Sequence, residues 1–533
     1  METTFLIGCA LLALVGSVLT APQLRYLKEF DEDLFHPIGI HSYGRTSQHN
    51  IREEGADFWR KGAQEILKNH LKVVPNTKKA RNVILFLGDG MSVPTLAAAR
   101  AYQGQMEGKT GEESHLFFED FPYTGFSKTY CVNSQVADSA CTATAYLCGV
   151  KGNIGTIGVT AAVSRGSCEG MRNQSNHVSS LLKWAQDSGK STGIVTTARV
   201  THASPAGAYA SVAERNWESD ADIAHDGLNT TLCDDIAEQL VFGSTGKKFQ
   251  VILGGGREAF TPTGKVDEEG SSGKRLDGKN LIEVWKKEKK SSGVRGQYIW
   301  NREQLLSLNY TNVDYLLGLF EASHMKYHLE ANNKTEPTLS EMTEAAIKLL
   351  SKKEKGFALF VEGARIDHGH HSTTAKRALD EAVEMAKAVK KAVELTSSKD
   401  TLIVVTADHA HTMSYSGYPT RGNDILGLVG VSDVDNLTYS TLSYANGPGF
   451  KAPDSGCKRH DLSKDNMTSQ TYEFPALAPM VAETHGGDDV AVFATGPWAH
   501  LLTGLYEQNF IPHMMAYASC IGSGLTACSN KNR

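Results

Sequence analysis

Short apolar runs separated by polar segments set the pattern of this chain. Four of them are Val83–Leu87, Gly193–Thr197, Phe357–Val361 and Leu402–Thr406. Each run is continuous and holds β-branched or aromatic residues, which is typical of a strand buried on both faces of a sheet. A fifth run, Val490–Ala494, follows a polar segment near the end of the chain.

Amphipathic stretches such as Leu339–Ser351 and Ala375–Leu395 lie between these runs and predict helices. Alternating strands and helices favour an α/β fold with a mainly parallel central sheet covered by helices on both faces. We interpret residues from about 415 to 483, which are rich in Gly, Ser, Asn and Asp, as a small inserted, loop-rich subdomain. The glycines at 254–256 and the charged stretch Lys265–Lys290 are typical of loops and surface.

The N-terminus has the features of a secretory signal peptide, which we place at residues 1–20, ahead of one large domain at 21–533. Phe5–Leu19 is apolar but too short and too early for a membrane-spanning helix. Glu2 departs from the usual positive start, and a buried N-terminal helix is the alternative. Glycosylation sequons also favour export, and they begin at Asn173, Asn229, Asn309, Asn333, Asn436 and Asn466.

Charge and cysteine content narrow the function classes. The formal net charge of −6 argues against nucleic acid as a partner, so an anionic substrate would need local positive charge. An oxidising compartment would pair some of the eight cysteines that follow the signal peptide, although spacing leaves the connectivity open. No Cys-x-x-Cys pair occurs, which argues against a thiolate zinc site.

Carboxylates and imidazoles follow the apolar runs. Because ligands of open α/β sheets bind beyond the carboxyl ends of the strands, we expect these side chains to converge at one edge. Carboxylate-plus-imidazole sets suit zinc, and all-oxygen sets suit magnesium. The candidates are Asp89, Arg199, His202, Ser204, Glu362, Arg365, Asp367, His368, His370, His371, Asp408, His409 and His411, with His485 shortly before the fifth run.

Ser139, which follows Asp138, is the candidate nucleophile. The segment Thr142–Cys148 is compatible with a helix, whose N-terminus would offer free N–H groups to a phosphate.

Three other interpretations of these candidates stay open. Ser139 would be only a helix cap, Gly88–Gly90 would be a dinucleotide loop, and the carboxylates and imidazoles would form a buried ion-pair network. Val93 stands where the dinucleotide loop needs its third glycine, which argues against that loop.

Seven sequence blocks resemble the animal alkaline phosphatases, in that family's order. They are FLGDGM (Phe86–Met91), DSACTATA (Asp138–Ala145), HASPAG (His202–Gly207), RNWESDAD (Arg215–Asp222), VEGARIDHGHH (Val361–His371), VTADHAH (Val405–His411) and ETHGGDDVAVFA (Glu483–Ala494). The match spans about residues 24–528. The resemblance implies a secreted, metal-dependent phosphomonoesterase with an alkaline pH optimum. It would hydrolyse small-molecule and protein phosphate monoesters to alcohol and inorganic phosphate through a phosphoserine intermediate.

The resemblance also implies residue roles around two Zn²⁺ ions and one Mg²⁺ ion per subunit. The first zinc would be held by Asp367, His371 and His485. The second zinc would be held by Asp89, Asp408, His409 and the nucleophile Ser139. The magnesium would be held by Asp89, Ser204 and Glu362. The substrate phosphate would be bound by Arg215, and the surroundings of these sites would be completed by His202, His368 and Asp138.

A calcium site is a further implication of the resemblance. Phe320, through its carbonyl, and Glu321 match that site. Glu336 stands where the family usually has Asp, and Glu269 in a shortened segment is another candidate ligand.

The resemblance implies two disulfides, Cys168–Cys233 and Cys520–Cys528, and a free buried thiol at Cys148. Two cysteines that flank the nucleophile, Cys131 and Cys141, are not typical of the family. Their pairing, and that of Cys457, stays open.

The family's members are homodimers, and Leu24–Trp59 resembles their N-terminal arm, so we expect a homodimer. Many relatives carry a glycolipid anchor, which requires an apolar C-terminal tail. This chain ends on the polar residues Ser529–Arg533, so we expect a soluble, secreted enzyme without a membrane anchor.

Two alternatives come from other functional classes. A sulfatase or phosphodiesterase on a related metal scaffold is disfavoured by Arg215 and by the three-metal ligand set. A secreted metal- or phosphate-binding glycoprotein with an inactive site is disfavoured because every catalytic position holds the required residue type.

Overall fold

The computed structural model describes residues 51–528. The predicted signal peptide, the first part of the N-terminal arm and the C-terminal end at 529–533 lie outside the described residues. The strands are β1 (Asn82–Gly88), β2 (Tyr123–Lys128), β3 (Ser191–Arg199), β4 (Val251–Gly255), β5 (Gly296–Ile299), β6 (Tyr315–Leu319), β7 (Phe357–Gly363), β8 (Thr401–Ala407), β9 (Ala410–His411), β10 (Met413–Tyr415), β11 (Leu428–Val431), β12 (Thr438–Ser440), β13 (Leu442–Gly447), β14 (Ala476–Pro479), β15 (His485–Gly486), β16 (Val490–Thr495) and β17 (Gly504–Glu507).

The α-helices of the described residues range from a single turn to six turns. The full set is α1 (Ala56–His70), α2 (Val93–Met106), α3 (Ser139–Cys148), α4 (Cys168–Arg172), α5 (Leu181–Asp187), α6 (Ala203–Ala206), α7 (Asp220–His225), α8 (Ile236–Phe242), α9 (Leu281–Ser291), α10 (Arg302–Leu306), α11 (Leu339–Leu350), α12 (Arg365–His371), α13 (Ala375–Leu395) and α14 (Phe510–Ser519).

A ten-stranded sheet forms the centre of the molecule, in the order β17-β2-β16-β8-β1-β7-β3-β4-β6-β5. Only β16 in this sheet runs antiparallel to its neighbours, β8 and β2. The five apolar runs of the sequence lie in β1, β3, β7, β8 and β16. The prediction of an α/β fold with a mainly parallel sheet is therefore confirmed.

Alternating residues of the central strands pack into two hydrophobic cores, one on each face of the sheet. In β1, Ile84 and Phe86 pack with residues of α2, α11 and α13 on one face. Val83, Leu85 and Leu87 pack with residues of α3, α5, α9 and α14 on the other face. Because both faces of β1 are buried, neither face needs polar residues. The strand is therefore a continuous apolar run without the alternation of polar and apolar residues that a half-exposed strand shows.

Two sequence interpretations were wrong in part, although Gly256 and residues 265–280 do lie outside helices and strands. Gly254 lies inside β4, where a Cβ would contact Thr196 and Val200, so glycine here reflects close strand packing and not a loop. The charged stretch Lys265–Lys290 contains most of α9, whose buried residues Leu281, Ile282, Trp285 and Lys289 share one face.

Small sheets outside the large one occupy the region predicted as a subdomain. One contains β10, β13 and β14, and the other pairs β11 with β12. Whether residues 415–483 form a separate unit stays a prediction. Among residues 51–528, the structure has no helix long and apolar enough to cross a membrane.

Candidate metal centre and active site

The carboxyl ends of three adjacent strands place three carboxylates at one edge of the sheet. Asp89 follows β1, Asp408 follows β8, and Glu362 is the last residue but one of β7. The register pairs Gly88 of β1 with both Gly363 and Ala407, so these strand ends are level. All three carboxylates are fully buried, as a site beyond the carboxyl ends requires.

A first cluster of ligands forms around Asp367. His371 lies one turn further along α12, and β15 pairs with β9 so that His485 stands opposite His411. The Nε2 atoms of His371 and His485 each lie 3.3 Å from Asp367 Oδ1 and 3.1 Å from one another. One carboxylate oxygen and two imidazole nitrogens therefore converge, which is a zinc-binding donor set.

Carbonyl oxygens fix the tautomers of His371 and His485. His371 Nδ1 donates to the carbonyl of Glu483, and His485 Nδ1 donates to the carbonyl of Ala137 at 2.7 Å. The Nε2 atoms then carry lone pairs that face each other. Such hydrogen bonds behind metal-binding histidines orient the rings and raise their basicity.

His411, to which sequence reasoning gave no role, lies against this cluster. Its Nε2 is 2.8 Å from Asp367 Oδ1, and its Nδ1 is 2.6 Å from Glu483 Oε2. Burial lowers the pKa of His411, but Glu483 and Asp367 outweigh burial and raise it to about 10. His411 thus bridges two carboxylates through its two ring nitrogens. Its position two residues after His409 in the same block was the available signal.

A second cluster surrounds Ser139, which is the first residue of α3. Ser139 Oγ lies 3.2 Å from His409 Nε2 and 3.4 Å from Asp89 Oδ1. His409 Nε2 is also 3.2 Å from Asp408 Oδ2. Asp138 caps the helix, because its side chain accepts from the N–H of Cys141 at 3.1 Å. The serine oxygen thus stands at a helix N-terminus among metal-type ligands.

Oxygen donors form a third group on the other side of Asp89. Ser204 Oγ lies 3.4 Å from Asp89 Oδ2. Glu362 Oε2 accepts from Thr196 Oγ1 at 2.5 Å, while Glu362 Oε1 is buried without a hydrogen-bond partner. A buried carboxylate oxygen without a partner is costly, and a hard cation such as Mg²⁺ would satisfy it.

The electrostatics of the buried carboxylates also favour a bound cation. Burial, followed by the charge of Asp408, raises the pKa of Asp89 well above its usual value. Burial likewise raises the pKa of Glu362 to about 7. Crowded carboxylates in a dry site repel one another unless positive charge lies between them. The residues therefore fit bound divalent cations.

Arg215 is held by Asp138, the residue before the candidate nucleophile Ser139. Its Nη1 donates to Asp138 Oδ2 at 3.0 Å, and its Nη2 donates to His202 Nε2 at 3.3 Å. Burial would raise the pKa of Asp138, but Arg215 and the N–H groups of Gly155 and Cys141 lower it. The guanidinium is thus fixed in orientation next to Ser139, where it can bind an anionic substrate.

Three imidazoles meet beside Arg215, and sequence reasoning selected two of them, His202 and His368. The third, His324, lies in the loop after β6, and no motif marked it. The ring centroids of His324 and His368 are 4.3 Å apart. Burial, with the charges of nearby arginines, lowers the pKa of all three, so they are neutral.

The predicted calcium ligands lie near one another at the end of β6. Burial and the charge of Glu336 raise the pKa of Glu321 to about 7. Glu336 Oε2 accepts from the N–H of Lys326 at 2.8 Å. Glu269 instead bonds the guanidinium of Arg257.

Three disulfides join cysteines of the described residues. They are Cys131–Cys141, Cys168–Cys233 and Cys520–Cys528. Cys148 is buried and carries a free thiol, and burial raises its pKa to about 12. The pairing of Cys131 with Cys141, which spacing left open, is thereby assigned.

The sheet and the clustered ligands together define an α/β metalloenzyme. A family model described as alkaline phosphatase matches residues 80–521. The membrane-bound alkaline phosphatase of Bombyx mori is 50% identical over 503 residues, which cover 93% of this chain and 91% of that protein. The tissue-nonspecific isozyme of Rattus norvegicus is 51% identical over 485 residues, which cover 90% of this chain and 91% of that protein.

Solved structures share the fold. The alkaline phosphatase of Thermus thermophilus superposes with a TM-score of 0.60 at 22% identity, covering 85% of this chain and 94% of that chain. The chain belongs to the alkaline phosphatase family. It is a metal-dependent phosphomonoesterase.

Proposed function

We propose that Ser139 is the nucleophile and that hydrolysis of the phosphate monoester passes through a phosphoserine. The observation that carries this proposal is the position of Ser139 Oγ at the N-terminus of α3, within 3.2 Å of His409 Nε2. The oxygen attacks phosphorus, the ester oxygen leaves as the alcohol, and water then cleaves the phosphoserine to inorganic phosphate. The free N–H groups of the helix N-terminus favour the negative charge on the phosphoryl oxygens.

The same proposal assigns the three ligand groups. Zinc would be bound by Asp367, His371 and His485, a second zinc by Asp89, Asp408, His409 and Ser139, and magnesium by Asp89, Ser204 and Glu362. When bound, the metals supply Lewis acidity that lowers the pKa of a coordinated hydroxyl and neutralises charge in an in-line displacement. His411 holds Asp367 in place through its hydrogen bond of 2.8 Å.

Arg215 orients the substrate phosphate. A guanidinium can donate two parallel N–H bonds to a phosphate, and the contact with Asp138 fixes the plane of this fork. Positioning of this kind lowers the entropic part of the barrier.

One assay tests the function. The purified enzyme should hydrolyse a chromogenic phosphomonoester, lose activity in a chelator, and regain it with zinc and magnesium. The matching sulfate ester and phosphodiester are the controls. Faster turnover of either control would favour the sulfatase or phosphodiesterase alternative.

We also propose that the enzyme works outside the cytosol. Three disulfides support an oxidising compartment. The six sequon asparagines are all exposed, so each is accessible to glycosylation. Digestion with a glycosidase should lower the apparent mass of protein recovered from the medium of expressing animal cells.

A calcium ion at Phe320, Glu321 and Glu336 is a further proposal. The repulsion that raises the pKa of Glu321 to about 7 is what a cation would relieve. Glu269 would join the site only if its carboxylate left Arg257. Calcium should raise the Tm, and Glu336→Gln should abolish that rise.

We propose a homodimer as well. The helix α1 has no buried residue, yet it presents Phe58, Trp59, Ile66 and Leu67 to solvent. An apolar surface of this kind on an otherwise exposed helix favours contact with a second chain.

A further inference from the structure

The disulfide Cys131–Cys141 encloses the nucleophile. Its two cysteines are 10 residues apart and both are 2% exposed. Cys141 belongs to the first turn of α3, and Cys131 lies in the segment that leads from β2 to that helix. The covalent ring therefore contains Ala137, Asp138 and Ser139.

Ala137 connects this ring to the first metal cluster. Its carbonyl oxygen accepts the Nδ1–H of His485 at 2.7 Å. That bond sets the tautomer and the ring plane of His485, whose Nε2 faces Asp367. A displacement of Ala137 would therefore move His485, a proposed metal ligand that lies 348 residues further along the chain.

Asp138 connects the ring to the phosphate-binding arginine. One carboxylate oxygen accepts from the N–H of Cys141 at 3.1 Å, and the other accepts from Arg215 Nη1 at 3.0 Å. The N–H of Gly155 donates to both oxygens at 3.1 Å. The carboxylate thus transmits the position of the helix N-terminus to the guanidinium.

Apart from the bonds of Ala137 and Asp138, two hydrogen bonds join the ring to the neighbouring segment 152–154. The N–H of Val132 donates to the carbonyl of Gly152 at 3.0 Å, and the N–H of Ile154 donates to Asn133 Oδ1 at 2.9 Å. Between the end of β2 and the start of α3, the structure shows one isolated bridge, Cys131 with Ser134. The two cysteines form a small apolar cluster of their own with Ala137 and the partly buried Ile154, separate from the two large cores. A cluster of four residues provides little packing to hold the segment against the metal centre.

We propose that the Cys131–Cys141 disulfide is a positioning element for the reaction. By closing the ring around Ser139, it fixes Ala137 and Asp138, and through them the ligand His485 and the phosphate-binding Arg215. The inference rests on the proposed roles of Ser139, His485 and Arg215. It gives the disulfide a role in the geometry of the active site, in addition to the stability that any crosslink provides.

The test compares two disulfides of similar size in the metal-loaded enzyme. The pair variant Cys131→Ala/Cys141→Ala removes the ring. The pair variant Cys520→Ala/Cys528→Ala is the matched control, because its separation of 8 residues is close to the 10 of the other pair. Loop-closure entropy depends weakly on length, so both pairs should lose a similar amount of Tm.

Only the Cys131–Cys141 pair should change the site. We expect inhibition by inorganic phosphate to weaken roughly tenfold, about the effect of losing one charge-assisted hydrogen bond. Zinc should also leave faster in a chelator. The control pair should keep the phosphate inhibition constant and the rate of zinc loss of the wild type.

Equal phosphate inhibition and equal zinc retention in the two pair variants would overturn the inference and leave the disulfide as a stabilising crosslink. If the double alanine variant does not fold, Cys131→Val/Cys141→Ala refills the apolar cluster without restoring the bond and takes its place. Failure of the proposed function is distinguishable, because it would appear as an inactive wild-type enzyme.

Discussion

At the scale of single residues, the proposed mechanism depends on one oxygen atom. Ser139→Ala removes that atom, and the other members of the second cluster keep contacts of their own: Asp89 with Ser204, and His409 with Asp408. We expect kcat to fall by roughly a thousandfold or more, with zinc content unchanged. The measurement is steady-state turnover together with metal analysis.

The matched control for the nucleophile is Ser180→Ala. Ser180 caps α5, where its side chain accepts from the N–H of Lys183 at 3.1 Å. Loss of this cap should cost about 1 kcal/mol of stability and leave kcat unchanged. Wild-type turnover in Ser139→Ala would disprove the phosphoserine route.

His485 is the proposed third ligand of the first cluster. In His485→Ala, Asp367 and His371 remain, and His411 is already engaged by two carboxylates. We expect zinc content and activity to fall together and excess zinc to restore part of both. His460→Ala, a surface histidine paired with Asp465, is the control and should keep its zinc. An unchanged zinc stoichiometry in His485→Ala would contradict the assignment.

At the scale of secondary-structure elements, α13 buries a carboxyl group whose ionisation opposes folding. Glu381 Oε1 accepts from the N–H of His328 at 2.7 Å, and burial raises the pKa of Glu381 from 4.5 to about 7. The folded state therefore binds more protons than the unfolded state between these values, and stability falls as pH rises through this window. The corresponding free energy is at most about 3 kcal/mol.

The variant Glu381→Gln should remove this pH dependence. We expect its Tm to be close to that of the wild type at pH 5 and higher than that of the wild type at pH 8. Effects of pH on metal binding act on both proteins and cancel in the difference. Glu394→Gln, on the exposed side of the same helix, should follow the wild type at both pH values. A Tm difference that does not change with pH would rule out the buried titration.

The sequence predicted the positions of those strands and helices whose burial leaves a clear pattern of apolar residues. The runs in β1 and β8 were visible because both faces of these strands are covered, and α13 was visible through its amphipathic period. The short strands β9 and β15 were not predicted, because a two-residue pairing leaves no periodic signal. Yet this pairing is what sets His485 opposite His411.

The sequence predicted those residues of the candidate site that lie in recognisable motifs. Asp89 and Asp408 directly follow strands and Glu362 lies at the end of one, and the fold brings them together as the strand order requires. His411 was selected without a role, and Glu483 and His324 were not selected, because their roles arise from contacts between distant segments. The same holds for the bond between Cys131 and Cys141, since spacing alone does not encode connectivity.

At the scale of the whole molecule, the helix α1 does not pack into the hydrophobic core of the described chain. The apolar residues of α1 lie on one side, and none is buried within the chain. The segment before this helix is tied to the body through the ion pair of Glu53 with Arg421. In a dimer, the side chains of Ile66 and Leu67, 62% and 50% exposed here, would lose that exposure to a partner.

Light scattering should therefore give the mass of two chains at micromolar concentration, against 57.8 kDa for one chain of 533 residues. Ile66→Asp/Leu67→Asp should shift the protein toward monomer, because two charges would be buried without partners. Gln64→Asp/Lys68→Gln makes the same change of net charge on the opposite side of α1 and should leave the dimer intact. A monomeric wild type, or equal dissociation of the two variants, would show that α1 is not the dimer contact.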